Sequence, residues 1–282
     1  LHQNIARTLE MLPVESQKTS LIAYHFEASG ELKEAFDYWV KTGMKTSGVF
    51  SRAETLESFR RAESLLRALG NFVSEEEIYQ LYSSWSRILD ITWEIEQAIQ
   101  LSFSLQRLGN QRKSTLLLGL AFNNLSRTYR RKDDYKRSLE YSKKAMVQLQ
   151  RANHPRELTF GYIRNSLILN LVGEYEQADN SLQKAIAYLN ESNDQNFQAE
   201  LASAIIQMTV ECNYKGRPIR ILALSDLARR FIHSTFVIPD MEMIEIARAD
   251  AYFLMGRYRD SYNLCMQVLT RAYEQKNRRL EA

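Results

Sequence analysis

Proline and glycine are scarce in this chain, at 4 and 10 of 282 residues, against ordinary shares of roughly 5% and 7%. A fold of many short strands needs more turn residues than that, and no Asn-Gly or Asp-Gly hairpin signal occurs. Long helices joined by short turns are what remains. Cysteine is as rare. Cys212 and Cys265 stand far apart among apolar neighbours, outside any Cys-x-x-Cys or Cys/His cluster, which excludes a disulfide framework and reads as two free thiols in a reducing compartment. No run approaches the roughly 20 apolar residues of a membrane span, and LLLGLAF (116–122) stops at Asn123 and Asn124. The opening residues carry no secretory pattern, so a cytoplasmic protein without membrane contact is expected.

Charge of one sign is lacking too. Thirty-seven basic against 34 acidic residues give +3, too little for a nucleic-acid-binding module, which concentrates basic charge on one face. The chemistry-bearing motifs are also missing. No G-x-x-x-x-G-K-[ST] run is present to cradle phosphates, and no HExxH, G-x-S-x-G or EF-hand loop occurs. His2, His25, His154 and His233 are scattered, and the acidic triplet Glu75-Glu76-Glu77 after Ser74 reads as a capped helix start. The expectation is a non-enzyme with no cofactor and no metal.

What the sequence does have is a repeat. LVGEYEQADNSLQKAIAYL (171–189) shares its grammar with FEASGELKEAFDYWVKTG (26–43) and FLMGRYRDSYNLCMQVL (253–269). Gly30, Asp133, Gly173, Gly216 and Gly256 align at one turn position, with Phe50 and Trp93 standing in for glycine in two degenerate copies; apart from the first, the intervals are 40 or 43 residues. Such a period holds two helices and two connections, so each unit is an antiparallel helical hairpin. Small residues recur five positions after the turn (Ala35, Thr55, Ala98, Ser138, Ala178, Ser261, with Ile221 the exception). They recur again seven before it (Ala23, Gly43, Ser86, Ser126, Ser166, Thr209, Ala249), where helices must approach closely. Phe26, Leu89, Tyr129, Leu169, Cys212 and Tyr252, four before the turn, and Tyr135, Tyr175 and Tyr258, two after it, are expected to fill the gaps. The predicted hairpins are 16–43, 44–69, 75–109, 114–151, 157–190, 196–233 and 239–274, after a lead helix 1–12 ended by Pro13.

This pattern resembles the tetratricopeptide repeat. In FNNLSRTYRRKDDYKRSLEYSKKAM, Phe122, Leu125, Ser126, Tyr129, Tyr135, Ser138 and Ala145 fall at its consensus positions, although the period is longer and the usual proline is missing in most copies. The resemblance implies an all-α, right-handed superhelical solenoid with period about 40. Residues 1–66 further resemble the segment that follows the nucleotide-binding and winged-helix parts of bacterial STAND-type signalling ATPases, which accompany LuxR-like or SARP-like transcription regulators. That likeness implies a sensor or scaffold arm, here taken as one domain over 1–282 and a fragment of a longer multidomain protein.

Solenoids bind partners on a concave face. Positions six and nine before each turn place Arg87, Asn124, Arg127, Arg164 and Gln207 on that face, with Arg131 one helical turn beyond Arg127. An amide pairs with peptide backbone and a guanidinium grips a carboxylate, so a protein or peptide partner, or another domain of the same polypeptide, is implied. The competing reading takes Arg127, Arg130, Arg131, Lys132, Lys136 and Arg137 as a solvated cluster offset by Asp133 and Asp134. Trp39, Trp85 and Trp93 read as packing between repeats, or as a stacking platform. RRFIHSTFVIPDMEM (229–243) reads as an apolar connector, and uncapped ends suggest a homodimer.

Overall fold

The computed structural model describes residues 1–12, 18–46, 52–192, 195–232 and 238–274. Among them are fourteen α-helices and no strand. In chain order these are α1 His2–Glu10, α2 Thr19–Ser29, α3 Leu32–Thr46, α4 Arg52–Leu69, α5 Glu75–Ile91, α6 Ile95–Arg112 and α7 Thr115–Arg131. There follow α8 Tyr135–Ala152, α9 Pro155–Val172, α10 Tyr175–Ser192, α11 Gln195–Tyr214, α12 Pro218–Ile232, α13 Ile238–Leu254 and α14 Tyr258–Glu274. A single 3-10 turn, Gly70–Phe72, follows α4.

The helices form two compact units, residues 1–133 with 147–152 and residues 134–146 with 153–282. In the first, α2 pairs with α3, α3 with α4, α5 with α6, and α5 also packs on α7. In the second, α9 pairs with α10, α11 with α12 and α13 with α14, while α9 packs on α11 and α11 on α13. Apart from α3 with α4, each of these contacts joins either the two arms of a hairpin or the first arms of successive hairpins.

The helices start and stop for local reasons. Ser74 and Glu77 form a reciprocal capping box at α5, the Glu77 carboxylate accepting from the Ser74 amide at 2.8 Å. Ser114 caps α7, Asp134 caps α8, and the His154 ring caps α9 ahead of Pro155 at its first position. At the other end the backbone turns through the left-handed region at Gly30, Gly173, Gly216 and Gly256, and also at the non-glycine residues Trp93 and Asp133, whose φ values are 57° and 59°. Both aligned positions therefore hold the conformation although neither is a glycine. At Gly30 the next amide, Glu31 N, donates back to Phe26 O at 3.0 Å; Glu94 to Leu89, Glu174 to Leu169, Arg217 to Cys212 and Arg257 to Tyr252 repeat the bond. This is the Schellman closure, which satisfies carbonyls that the ending helix leaves open.

All fourteen aligned small-residue positions are buried. In the first unit Ile22, Phe26, Phe36, Phe59, Ile78, Leu81 and Leu105 form one continuous core with Trp39 and Trp85. Trp85 stacks on Phe59 at 6.0 Å between ring centroids, and the Trp39 indole donates to Glu27 at 2.8 Å. Both tryptophans are packing residues. Trp93 is 66% exposed.

Two expectations need correction. Residues 44–69 are not a hairpin: α3 runs on to Thr46, and 52–69 is a single uninterrupted helix packed on α3. Its sequence contains no glycine or proline, so nothing turns the chain there. Thr55 still makes the close approach, its hydroxyl donating to Thr46 Oγ1 at 2.8 Å. Nor do the tyrosines two after the turn fill gaps in general, since Tyr258 is 63% and Tyr135 36% exposed. Each stands as the first residue of its helix, looking out over the turn. The proposed ender Pro13, the turn residue Phe50, and His233, Phe236 and Val237 of the connector lie outside the described residues.

The tightest approach is between α3 and α4. A Cβ on Gly43 would lie 2.7 Å from Phe59 Cδ1, on a ring that is fully buried. Gly43→Val is therefore expected to destabilise the first unit by about 1–3 kcal/mol through overpacking. Urea unfolding of the variant, with an unchanged slope and a lower midpoint, is the check.

Candidate interaction site

Asp90 lies in the last turn of α5, three residues before the left-handed Trp93. Its carboxylate meets two guanidiniums from α7: Arg131 Nε at 3.0 Å and Arg127 Nε at 3.4 Å. Arg131 Nη1 also donates to the Asp90 carbonyl at 2.8 Å, and its guanidinium lies 4.3 Å from the centre of the Trp93 ring. Arg127 Nη2 donates to the Ser86 carbonyl at 3.2 Å and to Asn124 Oδ1 at 3.4 Å, while the Asn124 amide donates to Ser86 Oγ at 2.8 Å. The end of a helix leaves open carbonyls and a partial negative charge, so two cations gather there for a physical reason.

The structure thus brings together three of the six sequence-predicted residues. Asn124 is buried, and its amide and carbonyl are both engaged inside the chain. It positions Arg127 and presents no edge to solvent. Arg87, one turn before Ile91 on α5, is exposed. Arg164 and Gln207 belong to the second unit and are described with it. On α9, Arg164 is paired at longer range with Glu157 at 3.6 Å and with Glu200 of α11 at 4.0 Å, its guanidinium 5.4 Å from the Phe160 ring centre. Gln207 donates to Ser203 on its own helix at 3.3 Å and is half-buried.

The solvated-cluster alternative also changes in detail. Lys132 reaches Glu96 at 2.7 Å and Arg137 reaches Asp134 at 3.3 Å, while Arg127 and Arg131 share Asp90. Only one of these carboxylates, that of Asp134, is among those the sequence pattern nominates. At α5 and α7 two guanidiniums therefore converge on one carboxylate, on side chains only 12% and 20% exposed.

Asp90 itself is the residue that sequence reasoning missed, and a signal for it exists. Three residues before the turn stand Glu27, Asp90, Asn170 and Asn213, each polar and each bonded to a neighbouring helix. Glu27 accepts from Trp39; Asn170 Oδ1 accepts from Arg220 Nε at 2.8 Å; Asn213 Nδ2 donates to Asp250 at 2.6 Å. Arg220 in turn grips Asp179 through two bonds of 3.0 and 3.1 Å and lies 4.5 Å from the Tyr175 ring centre. Beside it, burial pushes the Cys212 thiol above its ordinary range, opposed by the Asn170 hydrogen bond and the Arg220 charge, so the thiol stays protonated and inert.

Other candidates are modest. The rings of His2 and His25 are joined Nδ1 to Nδ1 at 2.7 Å. A cleft of about 760 Å³ lies between α4, α5 and α6, bordered by Glu63, Arg67, Tyr82, Arg107 and Arg112. Two of its polar groups are committed: Tyr82 OH donates to Glu63 at 3.0 Å and Arg112 Nη1 to the Val73 carbonyl at 2.8 Å. Among the described residues, no three His, Cys, Asp or Glu side chains group as a metal site, and no helix is long and apolar enough to cross a membrane.

No protein-family model matches the chain, and no curated protein matches it. Solved structures share its fold. BtubC (BKLC) from P. vanneervenii superposes with a TM-score of 0.61 at 14% identity, over 80% of this chain and 93% of that one. Aspartyl phosphate phosphatase F from Bacillus subtilis gives 0.56 at 14%, over 95% and 72%. A Rap protein complexed with Competence and Sporulation Factor gives 0.50 at 14%, over 97% and 80%. At this identity the likeness establishes the fold, an all-α helical-repeat architecture of antiparallel hairpins like that of the tetratricopeptide repeats.

Removing the shared carboxylate isolates its contribution. Asp90→Ala leaves two mostly buried guanidiniums competing for backbone carbonyls and is expected to cost about 1–3 kcal/mol. Arg127→Met in the same chain should recover part of that loss, as read from urea midpoints of the single and double variants.

Proposed function

We propose that this chain is a non-catalytic interaction or sensor module of a bacterial signal-transduction or transcription regulator. It binds an anionic peptide or protein segment, supplied by a separate protein or by another domain of the same polypeptide. The observation that carries this reading is the fixed guanidinium pair at Asp90: Arg127 and Arg131 are held in place on one carboxylate, and Arg87 stands exposed on the same α5. Guanidiniums fixed in this way pay little conformational entropy on binding, and their fork matches a carboxylate bidentately. Exposed Trp93 beside them offers a ring face to an apolar neighbour of that carboxylate.

In this reading residues 1–282 act as one repeat domain, and Arg164 and Gln207 of the second unit are further candidate binding residues. The module works in the cytoplasm, attached to a STAND-type nucleotide-binding part, and does not itself touch nucleic acid. Ligand occupancy shifts the packing of α5 on α7, and the attached effector reads the shift. The alternative is a stand-alone scaffold or receptor module. The co-complex of the Rap protein with Competence and Sporulation Factor favours it, because there a protein of the same fold holds a regulatory factor.

A thermal-shift screen of acidic peptides, each with a free and an amidated C-terminus, tests the site. Free-carboxylate peptides should raise the melting temperature. The Arg87→Ala/Arg131→Ala variant should bind about tenfold or more weakly with its helical circular dichroism unchanged. Equal binding by the variant would remove the assignment.

A further inference from the structure

The last described hairpin presents a second surface of a different chemistry. On α14, Ser261 and Val268 face the core and are buried. Tyr258, Tyr262, Cys265, Met266, Leu269 and Tyr273 follow a helical spacing of three and four, so they line one separate stripe of the same helix. A helix apolar on two faces is one built to be covered on both. The second stripe is open: Tyr258, Tyr262, Met266 and Tyr273 are 63, 65, 42 and 62% exposed, and Cys265 is exposed. It continues onto α13 through the edge-to-face contact of Tyr258 with Phe253, whose rings are 5.3 Å apart and whose own exposure is 60%.

The corresponding helices inside the second unit differ. At the place of Met266, α10 carries Gln183 and α12 carries Asp226, both exposed. At the place of Tyr262, α10 carries Asp179, held by Arg220 of the next hairpin. At the place of Tyr262, α10 is covered by the next hairpin and α12 carries the half-buried Leu222, so the open apolar set on α14 marks a face that meets protein.

We infer that this face is a homodimer interface, α14 of one copy packing antiparallel on α14 of a second across a two-fold axis near Met266. The available surface is of the right size. Four aromatic rings at about 60% exposure leave roughly 400–600 Å² open, and the methionines, Leu254 and Ile246 bring the face toward the roughly 800 Å² per partner of a standard interface. A single apolar stripe is self-complementary under a two-fold axis. Antiparallel pairing about Met266 also sets Arg259 of one copy level with Tyr273 of the other and next to its Glu274, which gives the apolar seam a charged rim.

Sedimentation equilibrium of the 282-residue chain tests this. The wild type should approach twice its 32.9 kDa monomer mass as concentration rises through the micromolar range. Tyr262→Glu/Met266→Glu should remain monomeric with unchanged helical circular dichroism, while Ile219→Glu, at a 75% exposed position on α12, should dimerise like wild type. Cys265 supplies a second readout, since Cys212 is fully buried: its maleimide labelling should slow about tenfold or more on dimerisation and stay fast in the double variant. A wild type that is monomeric at every concentration overturns the interface, and so does a double variant that still dimerises.

Discussion

The structure depends first on one backbone conformation. Six hairpin turns pass through a residue with φ between 57° and 91°. That residue reverses the chain, and at Gly30, Trp93, Gly173, Gly216 and Gly256 the following amide closes the end of the helix behind it. Because the turn is short and fixed, the two arms leave it in a fixed register, and the positions seven before and five after it are buried in every copy. At Asp133 and Trp93 the same conformation is held by residues with a Cβ, at a cost of roughly 1–2 kcal/mol each. At Trp93 tertiary packing offsets that cost, the ring lying against the Arg131 guanidinium.

The turn also creates the polar chemistry. Each helix that ends there offers carbonyls and a partial negative charge to the neighbouring helix, and the residue three before the turn sits beside them. Where that residue is an acid, as at Asp90 and Glu27, cations and an indole N–H collect. Where it is an amide, as at Asn170 and Asn213, it bridges donors and acceptors of the next hairpin. At Asp90 and Asn213 the rungs tie first arms together across a seam lined by small side chains, which contribute little dispersion energy of their own. A hydrogen bond to a charged group, at about 1.5–3 kcal/mol, is comparable there to burying one more large aliphatic side chain.

The sequence made the architecture legible because the repeat constrains identity at few positions and does so in every copy. Small residues at two fixed offsets and a turn at a third suffice to locate hairpins, and Trp93 and Asp133 were found by spacing alone. The method failed where spacing was trusted without chemistry. The bounds 44–69 do not hold a hairpin, because 52–69 contains no residue that would stop a helix and α4 is one helix. The tyrosines two after the turn were read as filler from their size, although the first residue of a helix projects outward. The site was less legible for a related reason. Helical offsets show which residues share a face, but not that Asp90 on one helix and two arginines on another share a carboxylate. Long-range pairing of charges leaves no period in a single sequence.

That shared carboxylate shapes what the site can do. An arginine free in solvent loses side-chain entropy when it clamps a ligand, whereas Arg127 and Arg131 have already lost it to Asp90, Ser86 and Asn124. In the proposed reading an incoming anion meets guanidiniums that Asp90 already holds, so the helix contact and the ligand contact draw on the same pair of side chains. A bound carboxylate competes with Asp90 for guanidinium donors and thereby loosens or redirects the α5–α7 contact. Binding and inter-helix packing are then linked through one residue, and a repeat array can convert occupancy into a change in how successive hairpins stack.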